Sequence, residues 1–88
     1  FMNQYFIGNY IQKLSIVDIK AFANSQHIEL SDYESKVLLE TIQKHWKELL
    51  YGDYQSVFRS VQSKLQPQTY QVALQLYHHY RQKYQSFL

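Results

Sequence analysis

The stretch from Glu34 to Tyr51, ESKVLLETIQKHWKELLY, constrains the fold more than any other part of the chain. Placed on a helix at about 100° per residue, Leu38, Leu39, Ile42, Trp46, Leu49 and Leu50 fall within about 120° of arc, with His45 on one flank. That face is too wide for a two-helix seam, so neighbours should dock on it from more than one side. Ser31 and Glu34 form an S-x-x-E box, in which Ser31 accepts from the Glu34 amide and the Glu34 carboxylate reaches back. Asp32 and Glu34 also suit the positive end of a helix. At the other end Gly52 is expected to close the helix in the left-handed conformation, and Asp53 to cap the next one.

The 88 residues contain two glycines, one proline and no cysteine. β-Sandwiches and barrels need turn residues far more often, so the expectation is all-α: a compact four- or five-helix bundle around a central helix near residues 32–51, with residues 1–88 forming one helical domain. A chain of this size buries roughly 60% of the surface its unfolded form exposes and needs no metal or disulfide to fold. The absence of cysteine fits a reducing compartment. There is no apolar run of about 18 residues, and no basic region or cleavage pattern of a signal peptide near the N-terminus. The expectation is a soluble cytoplasmic chain with Met2 as its natural start.

Taken in order, residues 3 to 14 place Ile7, Tyr10, Ile11 and Leu14 on one face with Phe6 beside them, in a first helix weakened by Gly8. A second box, Ser15 to Asp18, opens a helix over 16 to 26 presenting Ile16, Ile19, Phe22 and Ala23. Residues 24 to 30 connect it to the central helix, with Ile28 and Leu30 turned into the core. After Gly52, Tyr54, Val57, Phe58, Val61 and Leu65 make a narrow apolar stripe. Pro67 suits the first position of a further helix, so the fourth ends near Leu65 or Gln66. The fifth runs to about Phe87, with Tyr70, Ala73, Leu74, Tyr77, Tyr84 and Leu88 on one face and Tyr80 and Phe87 at its edge. Arg81 falls inside that apolar face. Either its stem covers tyrosine rings while the charge finds a partner, or it faces an anion in a tyrosine-lined groove.

Catalytic patterns are missing. The sequence has no H-E-x-x-H, no G-x-S-x-G, no phosphate-cradling glycine loop and no cysteine nucleophile. His27, His45, His78 and His79 never stand three or four apart, so no local metal site is preformed, and no cofactor is expected. The reading is therefore non-enzymatic.

Charge and tyrosine are unevenly spread. Residues 1 to 53 hold all seven acids against five lysines, a balance of −2, whereas residues 54 to 88 hold Arg59, Lys64, Arg81 and Lys83 with no acid, a balance of +4. Glutamines on solvated faces explain part of this contrast, and a basic surface that meets something acidic is the sharper reading. Tyrosine numbers nine, and most of these can fill the margins of a thin core with the hydroxyl in water. The last helix interleaves Tyr77, His78, His79, Tyr80, Arg81, Lys83 and Tyr84, which a stacking, phosphate-contacting surface would also contain. Tyr70, Tyr77 and Tyr84 recur at heptad spacing, which suits core packing or self-association better.

The pattern L-S-x-x-D-I-K-x-F-A at 14 to 23, I-E-L-S-x-x-E at 28 to 34, H-W-K-E-L-L-Y-G-D-Y at 45 to 54, V-F at 57 and 58, and L-x-P-x-T-Y at 65 to 70 resembles the small uncharacterised YqfT-type proteins of Bacillus and its relatives. These motifs are caps and apolar positions. The resemblance implies a bacterial cytosolic helical protein and brings no catalytic or binding residue with it.

The leading functional expectation is an interaction or regulatory module with a protein partner, or a homodimer through the fifth helix, and with no membrane partner. Its site would be Tyr77, Tyr80, Arg81 and Tyr84, since tyrosine and arginine are enriched where interfaces carry their energy. The alternative is a weak nucleic-acid-binding domain using the acid-free C-terminal half.

Overall fold

Five helices, α1 (Gln4–Gln12), α2 (Ile16–Ser25), α3 (Asp32–Tyr51), α4 (Tyr54–Val61) and α5 (Pro67–Lys83), make up most of residues 4–83, which the computed structural model describes. Short-range hydrogen bonds set their ends. Ser15 and Asp18 form the reciprocal box, the Ser15 amide donating to the carboxylate at 2.9 Å and the Asp18 amide to the Ser15 hydroxyl at 3.4 Å. Ser31 caps α3, accepting the Glu34 amide at 3.0 Å, and Asp53 caps α4, accepting the Ser56 amide at 3.2 Å. α4 tightens into a 3-10 turn at Gln62–Lys64 before Pro67 begins α5, as the proline requires.

The connection between α2 and α3 closes in a Schellman motif that sequence reading leaves as a plain loop. The Ile28 amide donates to the Ala23 carbonyl and the His27 amide to the Asn24 carbonyl, both at 3.0 Å, with His27 left-handed at φ 62°. A side chain at that φ costs energy that glycine would not. His27→Gly is therefore expected to stabilise the fold slightly, by about 0.5 kcal/mol after the entropy of the unfolded chain is counted. A urea midpoint lower than wild type would contradict this.

Glu34 departs from the sequence reading. Its carboxylate does not turn back to Ser31 but accepts the backbone amide of Gln66 at 2.9 Å, and the residue is buried at 6% exposure. Gln66 precedes Pro67, so a carboxylate on the first turn of α3 also serves the positive end of α5. At the far end of the same two helices the Tyr77 hydroxyl donates to the Leu49 carbonyl and the Arg81 guanidinium to the Leu50 carbonyl. Starts meet starts and ends meet ends, so α5 runs parallel to α3, with α4 antiparallel between them.

The core follows this arrangement. Val61, Leu65 and Tyr70 are buried together, with Val37 and Leu38 of α3, Phe58 of α4 and Leu74 of α5 packed around them. Val57 and Leu30 are also buried, and the expected α4 stripe is intact. The wide apolar face of α3 is shared between neighbours, as its arc implies, and Leu38, Leu39, Ile42, Trp46, Leu49 and Leu50 are each half-buried. The radius of gyration, 12.6 Å, is close to the roughly 12 Å of a compact chain of this length.

Three expectations need correction. α3 is not one straight helix: at His45 the backbone leaves helical values, with φ −121° and ψ 19°, and the His45 side chain is exposed. Gly52 is not left-handed. It is extended at φ −130° and ψ −142°, and what glycine permits there is close approach, because a Cβ would lie 3.3 Å from the Glu48 Cα. Tyr10 does not join Ile7 on the inner face of α1 and stands 67% exposed.

Gly8 explains the last point. It lies against the indole of Trp46, where a Cβ would come within 3.0 Å of Cζ2, and this contact rolls α1 so that Ile7, Gly8 and Ile11 face inward. Gln43 holds the end of the same helix, its amide donating to the Ile11 and Leu14 carbonyls, each at 3.3 Å. The sequence assigns Gly8 only a cost in helix propensity. Gly8→Val, a stiff side chain against a flat ring, is expected to cost about 1–3 kcal/mol by overpacking, measured by urea unfolding, whereas unchanged stability would mean that α1 does not rest on Trp46 there.

Candidate functional site

The end of α3 leaves carbonyls that its own helix cannot satisfy. The Gly52 amide takes that of Glu48 at 3.0 Å, and Tyr77 and Arg81 take those of Leu49 and Leu50. Tyr77 and Arg81 are four residues apart, so they share one face of α5 and reach consecutive carbonyls. A guanidinium also suits the negative end of a helix. This accounts for an arginine within an apolar face: its stem is half-buried and its charge is partnered within the chain.

The same anchor orders an aromatic row between α4 and α5. Tyr77 stacks on Tyr54 with ring centroids 4.8 Å apart and an interplanar angle of 29°. Phe58 meets Tyr77 edge-on at 5.4 Å and Tyr70 at 6.1 Å, while His78 closes on Tyr54 at 5.4 Å. The row runs from buried Tyr70 through half-buried Phe58, Tyr77 and Tyr54 to exposed His78. Burial pushes the Tyr77 phenol above its usual 10.0, against the opposing pull of Arg81 and with a smaller push from Tyr54.

That shift has a pH consequence. Below 10.0 both folded and unfolded chains keep this phenol protonated, so its contribution to stability is fully present. As pH rises further the unfolded phenol ionises first, and the contribution is lost as pH passes through the folded value. Tyr77→Phe is expected to cost about 0.5–1.5 kcal/mol at neutral pH, for one hydrogen bond, and to flatten part of the alkaline decline. Urea midpoints of both proteins across the alkaline range check this, and parallel declines would contradict it.

Of the four site residues expected from the sequence, the structure brings Tyr77 and Arg81 together and fixes them on α3. Tyr80 follows on α5 with its side chain outside the described residues, and Tyr84, Phe87 and Leu88 lie outside them altogether. Tyr54 and His78 complete the row, and neither was in the expected site. Their signal is present only in combination: Tyr54 leads the α4 stripe, and pairing α4 with α5 is needed to set it on Tyr77.

The rest of the surface offers little chemistry. Among the described residues no three His, Asp or Glu side chains are grouped to hold a metal ion. An open depression of about 330 Å³ beside Ser31, Tyr33, Lys64 and Gln66 is floored by Glu34, whose carboxylate is engaged by the Gln66 amide. No helix among the described residues is long and apolar enough to cross a membrane. Comparison with protein-family models, with curated proteins and with solved structures finds no match. Fold and site together define a small all-α bundle with an ordered aromatic row beside a basic, acid-free segment.

Proposed function

We propose that the chain is a non-enzymatic, cytoplasmic protein-interaction module that binds an acidic segment of a partner protein along the α4–α5 edge, beside the aromatic row. The observation that carries the reading is the anchoring of Tyr77 and Arg81 on the α3 carbonyls. An aromatic row held in this way has already lost its rotamer freedom, so docking against it costs less ordering entropy. Tyr54, Tyr77 and His78 supply the rings, and Tyr80 and Tyr84 follow them in the sequence. Arg59, Lys64, Arg81 and Lys83, with no acid after Asp53, supply the charge preference.

The test is capture by the full chain from a bacterial lysate, with and without nuclease, followed by a salt titration of whatever is retained. A protein that survives nuclease and weakens only modestly with salt supports the reading. Nucleic acid in the eluate, with an affinity that falls steeply as salt rises, would replace it with phosphate binding through the same basic segment.

A further inference from the structure

α1 grips α3 on both sides of the bend. Before His45, the Gln43 side-chain amide donates to the Ile11, Gln12 and Leu14 carbonyls at 3.3, 3.4 and 3.3 Å, acceptors that the end of α1 cannot satisfy within its own helix. In return the Gln12 side-chain amide donates to the Gln43 backbone carbonyl at 3.2 Å. After His45, the Trp46 indole lies against Gly8. Between the two grips His45 leaves helical values, with φ −121° and ψ 19°.

The Gln43 carbonyl is the acceptor that a bend at His45 disturbs most directly. In an α-helix each carbonyl pairs with the amide four residues on, so the hydrogen bonds that span His45 start at Ile42, Gln43 and Lys44, with Gln43 in the middle. A sharp kink without proline or glycine arises where a side chain enters this ladder, and Gln12 is the side chain that does so. The Thr41 hydroxyl also enters it, on the Val37 carbonyl at 2.7 Å, but the helical bond from Val37 spans residues 38 to 40 and leaves His45 outside. We infer that α1 is a control element for the aromatic row: its docking bends α3 at His45 and so aims the Leu49 and Leu50 carbonyls at Tyr77 and Arg81, and its release straightens α3 and frees the row. As regulation of partner binding this rests on the proposed surface at the α4–α5 edge, whereas the coupling itself resides in the free chain.

Geometry carries the coupling over the distance. Leu49 and Leu50 stand four and five residues beyond His45, about 6–7.5 Å along the helix. Removing a kink of about 20° over that length shifts their carbonyls by about 2–2.5 Å, several times the roughly 0.5 Å over which a hydrogen bond keeps its strength. Tyr77 and Arg81 donate to those carbonyls, and Tyr77 stacks on Tyr54 with ring centroids 4.8 Å apart. The device has two states because α1 has no helical form of its own. Its nine residues fall short of the roughly 12–15 that an isolated helix needs in water, so α1 is helical on α3 and loses its helix when released.

Residual dipolar couplings of the free, full chain test this by giving the angle between residues 33–44 and 46–51 of α3. Wild type is expected to be bent by more than about 20°. Gln12→Met, of similar length but without the N–H donor, is expected to halve that angle at least and to lose the Tyr54–Tyr77 ring contacts seen by the nuclear Overhauser effect. The exposed position of Gln12 keeps the rest of the chain folded in this variant. Gln12→Lys, which returns an N–H donor of similar reach, is expected to keep both the bend and the ring contacts. Should Gln12→Met lose helicity beyond α1, Gln12→Leu replaces it. None of these measurements needs a partner, so failure to capture one would count against the surface at the α4–α5 edge and not against the coupling. A straight α3 in wild type, a bend that survives loss of the donor, a straightened α3 with the Tyr54–Tyr77 stack intact, or a Gln12→Lys chain as straight as Gln12→Met would each overturn the inference.

Discussion

Replacing Leu65 with alanine is expected to remove about 3 kcal/mol of unfolding free energy, roughly a third of what a chain of this length possesses. Leu65 is 7% exposed and joins Val61 and Tyr70 at the point where α3, α4 and α5 converge. The cost of such a deletion depends on whether the surroundings can collapse into the space. Here they are held on both sides. The Leu65 amide follows the 3-10 turn, donating to the Gln62 carbonyl at 3.4 Å, and the Gln66 amide is fixed to Glu34 at 2.9 Å. Pro67 immediately afterwards has a restricted φ. The backbone therefore cannot move inward, and the cavity stays open. Urea unfolding followed through Trp46 fluorescence measures the loss, and a cost below about 1 kcal/mol would show that the three helices do not converge on this residue.

Glu34→Ala is expected to cost about 2–3 kcal/mol, because it leaves the Gln66 amide at the start of α5 without its charged acceptor in a part-buried place. Glu34→Gln keeps an acceptor oxygen and loses the charge, so about 1 kcal/mol is expected. The location of the effect matters more than its size. Hydrogen exchange should quicken at the Gln66 amide in Glu34→Ala while the Ser31 amide is unaffected. The reverse pattern would mean that Glu34 caps its own helix and that α5 is held to α3 by apolar contact alone.

These two residues also show what the sequence makes legible. Ser15 with Asp18, Ser31 with the Glu34 amide, Asp53 and Pro67 act within three or four residues of themselves, and each helix start read from them is where the structure has it. The all-α fold, the α4 stripe and the width of the α3 face are of the same kind, because periodicity is local. Glu34 carries the same local signature as Asp18 yet spends its carboxylate on a helix start elsewhere in the chain. Spacing cannot distinguish the two, since the choice depends on which helix docks beside it. Gly8 and Tyr10 fail for a related reason: the roll of a short helix is set by its closest contact, here the Trp46 ring, and not by the mean direction of its apolar residues. The kink at His45 has no proline or glycine to announce it.

The candidate site was legible in part. Tyr77 and Arg81 stand out in the sequence by residue type and by the oddity of a charge in an apolar face. Their attachment to Leu49 and Leu50 depends on α5 lying parallel to α3, which no local pattern specifies. That attachment changes their role. They position the aromatic row as well as belonging to it, so substituting them disturbs the fold together with any interface. Exposed His78 is the better place to separate binding from stability.

The most direct measurement is therefore comparative capture by the full chain from nuclease-treated lysate, using wild type, the double variant His78→Ala with Tyr80→Ala, and Tyr10→Glu, with folding of each verified by circular dichroism. If the α4–α5 edge is the partner surface, wild type and Tyr10→Glu retain the same protein in stoichiometric amount and the double variant loses it. Retention of that protein by all three would contradict an interaction surface on α5.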